Sequence, residues 1–244
     1  MKFAVKLIAA IVFSVIANET IAQEKTPARL KPSEWLVQPG WTLPSKVNRT
    51  GSDVIGLSSP GFGMLNLGYA RGWWIHPSVA IGGAMSFGAM PFSAKTDITG
   101  SSLFYNKWHP VDRYTDHGIF VGLGARGWYS PPGSRLSIGL QPYVRLTAAG
   151  SNRVIGGNGG MNDTLYRQHS SGPIGPYFGT QLDANYKVVD SERGYFTIGL
   201  FVDHVFNPGE VSFNIAPNTV EASSGTITFR QSAFGVRLAF GIPK

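Results

Sequence analysis

The sequence predicts an all-β fold, an eight-stranded antiparallel up-and-down barrel, and three features carry that reading. Apolar and small or polar residues alternate with period two in segment after segment. The connections between those segments are alternately short and long, as in a barrel whose hairpins are tight at one end and extended at the other. No stretch beyond the N-terminus holds the roughly 20 apolar residues that a membrane-spanning helix requires, so a chain in a membrane crosses it as strands.

Residues 1–22 read as a cleaved signal peptide. Lys2 and Lys6 make a basic start, residues 7–17 form an apolar run that Asn18 and Glu19 end early, and Thr20-Ile21-Ala22 offers the cleavage site. Residues 23–45 carry Pro27, Pro32, Pro39 and Pro44 with weak periodicity, which predicts a periplasmic N-terminal tether. The barrel is then expected over residues 46–244.

Its first strand is expected within 46–58. After Ser59-Pro60-Gly61, residues 62–71 set Leu65, Leu67 and Tyr69 against Met64, Asn66, Gly68 and Ala70. A short turn at 72–77 leads to residues 78–90, where Val79, Ile81, Met85 and Phe87 oppose Ala80, Gly82, Ala84 and Ser86. Residues 91–116 read as a long polar loop, and in 118–129 Ile119, Val121, Leu123 and Ala125 oppose Gly122, Gly124 and Arg126. Ser130-Pro131-Pro132-Gly133-Ser134 is a strong turn signal. Residues 135–148 then face Leu136, Ile138, Leu140, Val144 and Leu146 away from Ser137, Gly139, Gln141, Tyr143 and Arg145.

A second long loop covers 149–173. Residues 174–188 set Ile174, Phe178, Leu182, Ala184 and Val188 against Tyr177, Gln181, Asp183, Asn185 and Lys187. After a turn at 189–194, residues 195–206 carry Phe196, Ile198, Leu200 and Val202 on one side. A third long loop spans 207–225, and in the last strand, 226–242, Phe234, Val236, Leu238 and Phe240 oppose Ala233, Gly235, Arg237 and Ala239. With both chain ends in the periplasm, the short turns fall there and the three long loops fall outside.

Alternation alone does not say which face meets the core. A soluble lipocalin-like barrel would expose Lys, Glu and Thr, whereas the polar face here is Gly, Ala, Ser, Asn and Gln with isolated Arg126, Arg145, Asp183, Lys187, Asp203 and Arg237. Charged residues are 14% of the chain against about 25% in soluble domains. Both facts point the apolar face at lipid and predict a transmembrane barrel with a filled lumen. Trp73, Trp74, Trp128, Tyr129, Tyr195 and Phe196 flank the short turns, where an aromatic girdle is expected at the periplasmic interface. The chain has Cys 0, which excludes disulfides, thiolate metal sites and a lipidated cysteine.

On this architecture the chain resembles the small outer-membrane β-barrel proteins of Gram-negative bacteria, the OmpA/OmpX-like barrels, over residues 46–242. The resemblance implies the cell outer membrane and, as partners, the barrel assembly machinery. Such barrels finish on an aromatic residue; here Phe240 stands upstream of Gly241-Ile242-Pro243-Lys244, which is a departure. Net charge is +7 with the basic residues scattered and without an arginine-rich motif, so lipids and lipopolysaccharide phosphates are the expected partners and nucleic acid is not.

No catalytic, cofactor-binding or metal residues are assigned. Gly122-Leu123-Gly124-Ala125-Arg126-Gly127 has the spacing of a dinucleotide fingerprint but is followed by Trp128, Tyr129 and two prolines instead of a helix. The Gly156-Gly157-Asn158-Gly159-Gly160 run lacks the Lys of a phosphate loop. His109, Asp112, Asp116 and His117 share a loop without an established ligand spacing. His169-Ser170-Ser171 and Asp203-His204 are the nearest approach to hydrolytic machinery, and no serine adjacent in sequence pairs with His204. The expected role is structural or interactive, a barrel that presents long outer loops to an extracellular ligand or protein and is not an open pore. The alternatives are a lipid A acyl hydrolase or acyltransferase and a soluble periplasmic binding barrel.

Overall fold

A computed structural model of the chain describes residues 32–51, 55–58, 61–96, 113–148, 166–167, 175–191, 194–215 and 223–241. Eight long strands make the wall: β1 (Ser33–Gly51), β3 (Gly61–His76), β4 (Val79–Thr96), β5 (Arg113–Tyr129), β6 (Leu136–Ala148), β8 (Gly175–Ser191), β9 (Gly194–Val205) and β11 (Ser223–Gly241). Each pairs antiparallel with the next, and β1 pairs with β11 from Glu34↔Gly241 to Gly51↔Gly225, so the sheet closes on itself. Three short strands, β2 (Ile55–Ser58), β7 (Tyr166–Arg167) and β10 (Gly209–Ile215), extend the wall at the end away from the tight turns.

The two faces separate as the alternation requires. Leu123, Leu146 and Leu200 stand 65%, 62% and 67% exposed on the outside, while Arg126, Asp183 and Arg237 are each 1% exposed inside. An inside-out distribution of this kind is stable where hydrocarbon, not water, surrounds the wall. Strands such as β4 (18 residues) and β11 (19 residues) exceed the roughly 9–11 residues needed to cross a bilayer, and the surplus stands beyond it. Loops expected at 91–116 and 207–225 are accordingly shorter. β4 runs to Thr96, β5 starts at Arg113, and β10 zips onto β11 from Gly209↔Phe229 to Ile215↔Ser223.

The first strand lies upstream of where the proline pattern puts it. β1 begins at Ser33, so residues 33–45 are barrel wall and not tether. The reason is local: Pro39 keeps its pair with Leu65 on β3, and the β1–β11 ladder merely skips Gln38 and Pro39 between Val37↔Leu238 and Gly40↔Gly235. Pro142 behaves likewise. It pairs with Thr180 on β8, and the β5–β6 ladder skips from Gly124↔Tyr143 to Gly127↔Leu140. A proline removes one donor from one side of a strand, a loss that usually confines it to edges and bulges; here the ladder on the other side of each strand stays intact.

β9 and β10 are one stave broken at Phe206–Pro208. Before the break His204 opposes Ser232; after it Gly209 opposes Phe229, a change of register. Asn207 covers the break, accepting from Phe178 N at 2.7 Å on Oδ1 and donating from Nδ2 to Pro176 O at 3.0 Å. At the other end the chain turns between β5 and β6 as Pro131 O accepts from Ser134 N at 3.1 Å. Pro132 sets the fixed φ of the turn and Gly133, at φ 74°, takes the position open to glycine, the pattern of a type II turn.

The expected aromatic girdle is half correct. Trp73 is exposed, but Trp128 is buried and Trp74 packs against the interior cluster of Leu36, Ala70, Ala80 and Trp128. Adjacent residues on a strand point to opposite faces, so a run such as Trp73-Trp74 supplies one ring to each side. Trp35, in the misplaced first strand, joins the outer ring and packs on Tyr69 with centroids 4.8 Å apart.

Replacing Leu123 with Arg is expected to destabilise the barrel by about 2–4 kcal/mol in lipid vesicles, with loss of the heat-modifiable folded band. A soluble barrel would tolerate this exposed substitution, so an unchanged urea midpoint in vesicles would contradict the outward orientation.

Candidate functional site

The lumen is occupied by charged side chains that reach across it. Nearest the tight turns, Arg126 on β5 donates from Nε to Glu34 Oε1 on β1 at 3.1 Å and, in a two-pronged contact, from Nη1 and Nη2 to Asp183 on β8 at 2.9 Å each. Arg237 on β11 donates to the same Glu34 and, from Nη1, to Asn185 Oδ1 at 2.9 Å. Trp128 Nε1 donates to Glu34 Oε1 at 3.0 Å, Gln141 Oε1 accepts from Arg126 at 3.3 Å, and Asn185 Nδ2 donates to Asp183 at 2.5 Å. Two guanidiniums and two carboxylates are thus shared among β1, β5, β8 and β11.

A second group sits farther along the lumen. Arg145 Nη2 on β6 donates to Asp203 Oδ2 on β9 at 2.5 Å, Tyr143 donates its hydroxyl to the other oxygen of Asp203, and Arg145 Nη1 donates to Tyr143 Oη at 3.1 Å. The Arg145 guanidinium lies 4.5 Å from the Phe120 ring centroid, and Phe120 belongs to a buried layer with Met64, Met90, Phe201 and Ala233. Gln38 accepts from Asn66 Nδ2 at 2.6 Å.

Glycines make this density possible. A Cβ on Gly139 would lie 2.6 Å from both Arg126 Nη2 and Asp183 Oδ1, and one on Gly179 would collide with the Tyr143 hydroxyl. The charged groups are held where the paired position on a neighbouring strand has no side chain. Each charge is removed from water, an arrangement that is tolerable because its partners satisfy most of its hydrogen-bonding positions.

Five of the six lumen charges expected from sequence, Arg126, Arg145, Asp183, Asp203 and Arg237, meet in these two groups. Lys187 does not; its ammonium pairs with Asp190 at 3.1 Å near the β8–β9 turn. Glu34 is the member that sequence reasoning missed, since it stood in the expected tether. Its signal was there: Trp35, Val37, Trp41 and Leu43 alternate with Glu34, Leu36, Gln38 and Thr42.

The other candidates separate. His204 faces outward and its Nδ1 lies 2.8 Å from Ser232 Oγ, while Asp203, next in sequence, turns into the lumen toward Arg145. The ring's other neighbour is Phe206, edge-on at 5.6 Å. Among the described residues a serine and an imidazole are therefore together without a carboxylate to orient the ring, and each satisfies the other on the outward face of the wall. The 122–127 glycine run lies within β5, where Gly122 and Gly124 face the lumen side of Arg145 and Tyr143, not a helix. Asp116 and His117 pair with Phe92 and Pro91 as backbone of the β4–β5 ladder. His109, Asp112, residues 156–160 and His169-Ser170-Ser171 lie outside the described residues.

A closed sheet, an apolar exterior and an ion-paired interior together decide the class. The fold is an eight-stranded outer-membrane-type β-barrel. No protein-family model and no curated protein matches the chain. Similar solved structures include the outer membrane protein OprG from Pseudomonas aeruginosa, with 12% identity over 86% of this chain and 97% of that one and a TM-score of 0.42. AlkL, determined in lipid bilayers, shares 10% identity over 91% of this chain and 98% of its own, with a TM-score of 0.41. The translocator domain of the autotransporter NalP from Neisseria meningitidis shares 10% over 99% and 96%, with a TM-score of 0.36. The strand pairing and the two faces of this barrel carry the assignment by themselves.

Asp183→Ala leaves Arg126 and Arg237 short of a buried carboxylate. It is expected to cost about 3–5 kcal/mol, read as a lowered urea midpoint of the folded band. Val189→Ala, on the exposed outer wall, is the control and is expected to shift it little.

Proposed function

We propose that this protein is a closed outer-membrane barrel with a structural or interaction role, holding its outer hairpins above the membrane for an extracellular ligand or protein. The observation that carries the reading is the pair of ion networks lying across the lumen, Arg126–Asp183–Glu34–Arg237 and Arg145–Asp203–Tyr143. Opening a path for solutes would separate partners that have no water to replace them, at several kcal/mol each. The outer ends favour a presenting role: β10 and β11 form a ladder beyond the wall's break at Phe206–Pro208, and β7 pairs with β10 at Asn214↔Arg167. Lipopolysaccharide is the expected surrounding of that end, and the barrel assembly machinery the expected partner during insertion.

The Ser232–His204 hydrogen bond is the specific observation on the side of a lipid-modifying enzyme. Against it stands the orientation of Asp203, bound to Arg145 and Tyr143 on the opposite face.

In planar bilayers the purified barrel is expected to give no sustained conductance steps; large, stable channels would overturn the closed-lumen reading. In cells overproducing the protein, His204→Ala and Ser232→Ala are expected to leave the lipid A mass spectrum identical to that with the unaltered chain. A change in acylation that depends on either residue would establish the enzyme instead.

A further inference from the structure

Alternation fills the outer wall with large apolar side chains, but one row has a dent. Ala184 on β8 lies between Ile138 on β6 and Leu200 on β9, and the next row toward the tight turns is Leu136, Tyr186 and Ile198. These side chains line a groove of about 170 Å³ that Pro131, in the type II turn, closes at its end. A methyl group among branched chains and a phenol ring leaves a slot of hydrocarbon character, open to the bilayer.

At the same end the slot acquires a charge. Arg135, exposed and just beyond the turn, donates from Nη1 to Tyr186 Oη at 3.4 Å, and the backbone holds the two strands in step through Lys187 N to Arg135 O at 2.8 Å. Among the described residues the charged neighbours of Arg135 are few. Asp190 is within electrostatic range of Arg135, but its carboxylate carries the Lys187 ammonium at 3.1 Å. The guanidinium is thus hydrogen-bonded to a hydroxyl at the tight-turn end of the barrel.

We propose that this groove is a binding site for an anionic phospholipid of the periplasmic leaflet, with one acyl chain over Ala184 and the phosphate on Arg135. The inference rests on the outer-membrane reading above, which fixes the tight-turn end as periplasmic. Arg presents a planar fork that matches two phosphate oxygens, and the Tyr186 hydroxyl holds that fork at the mouth of the slot. Lipopolysaccharide is excluded as the occupant by side, since it fills the opposite leaflet.

Native mass spectrometry of the full chain in detergent, supplied with phosphatidylglycerol or phosphatidylcholine, tests the site. One phosphatidylglycerol is expected to remain bound at collision energies that strip phosphatidylcholine. Arg135→Gln is expected to weaken its retention about tenfold, as the loss of one charge-assisted contact predicts. Ala184→Leu, which fills the slot with a small change to the wall, is expected to abolish preference for a single lipid. Heat-modifiable mobility of each variant reports whether the barrel is intact. A barrel that folds yet retains phosphatidylglycerol equally in all three forms would overturn the site. Failure of the unaltered chain to form a heat-modifiable barrel would overturn the membrane reading instead.

Discussion

A peptide group in hydrocarbon has no water to turn to, so a strand that crosses a bilayer must find partners on both of its sides. Here that demand is met by the seam between β1 and β11, which begins at Glu34↔Gly241 and runs past the membrane to Gly51↔Gly225. The seam explains why the first strand has to start as early as Ser33: the last strand ends at Gly241, and a shorter β1 would leave its final turn of ladder open. It also places Glu34 inside the lumen beside Arg237, the residue that faces inward on the strand next door. Closure and the interior ion network are therefore one structural event.

The interior in turn depends on what the wall omits. Eight strands enclose a lumen narrow enough for side chains to reach across, and charged groups lie in it where the paired neighbouring positions are glycine. Gly139 gives room to Arg126 and Asp183, and Gly122 gives room to Arg145 beside Ser86. The glycine richness of the chain is thus a packing requirement of its large polar side chains. Alanine serves the same end in the layer of Ala70, Ala80, Ala84 and Ala239 around Leu36 and Trp128.

Much of this was legible in period two. Seven of the eight wall strands, and which residues share a face, follow from alternation, and the short turns follow from Pro and Gly, as at Pro132-Gly133. What proline hid was β1, because a local rule that penalises Pro39 and Pro44 has no knowledge of the neighbours on either side that hold the strand in place. The extra length of β4, β5 and the β10–β11 ladder was illegible for a related reason. Beyond the membrane both faces are wet, so hydrophobic alternation ends before the hydrogen bonding does. Apart from Glu34, the charged residues of the two lumen networks were visible, but their partners were not, since Arg126 and Asp183 are brought together only by the cylinder.

The two places where proline interrupts the ladder are not neighbours. One lies between β11 and β1, at Pro39, and the other between β5 and β6, at Pro142. Around the ring β1-β3-β4-β5 and β6-β8-β9-β11 are four strands each, so the interruptions stand diametrically opposed. The cylinder is in mechanical terms two half-shells with a weakened hinge line on either side. Across those lines run the clasps Arg126–Asp183 and Arg237–Glu34, which bind each half-shell to the other from within. Where the hoop of backbone hydrogen bonds is interrupted, these guanidinium contacts in the bore span the gap.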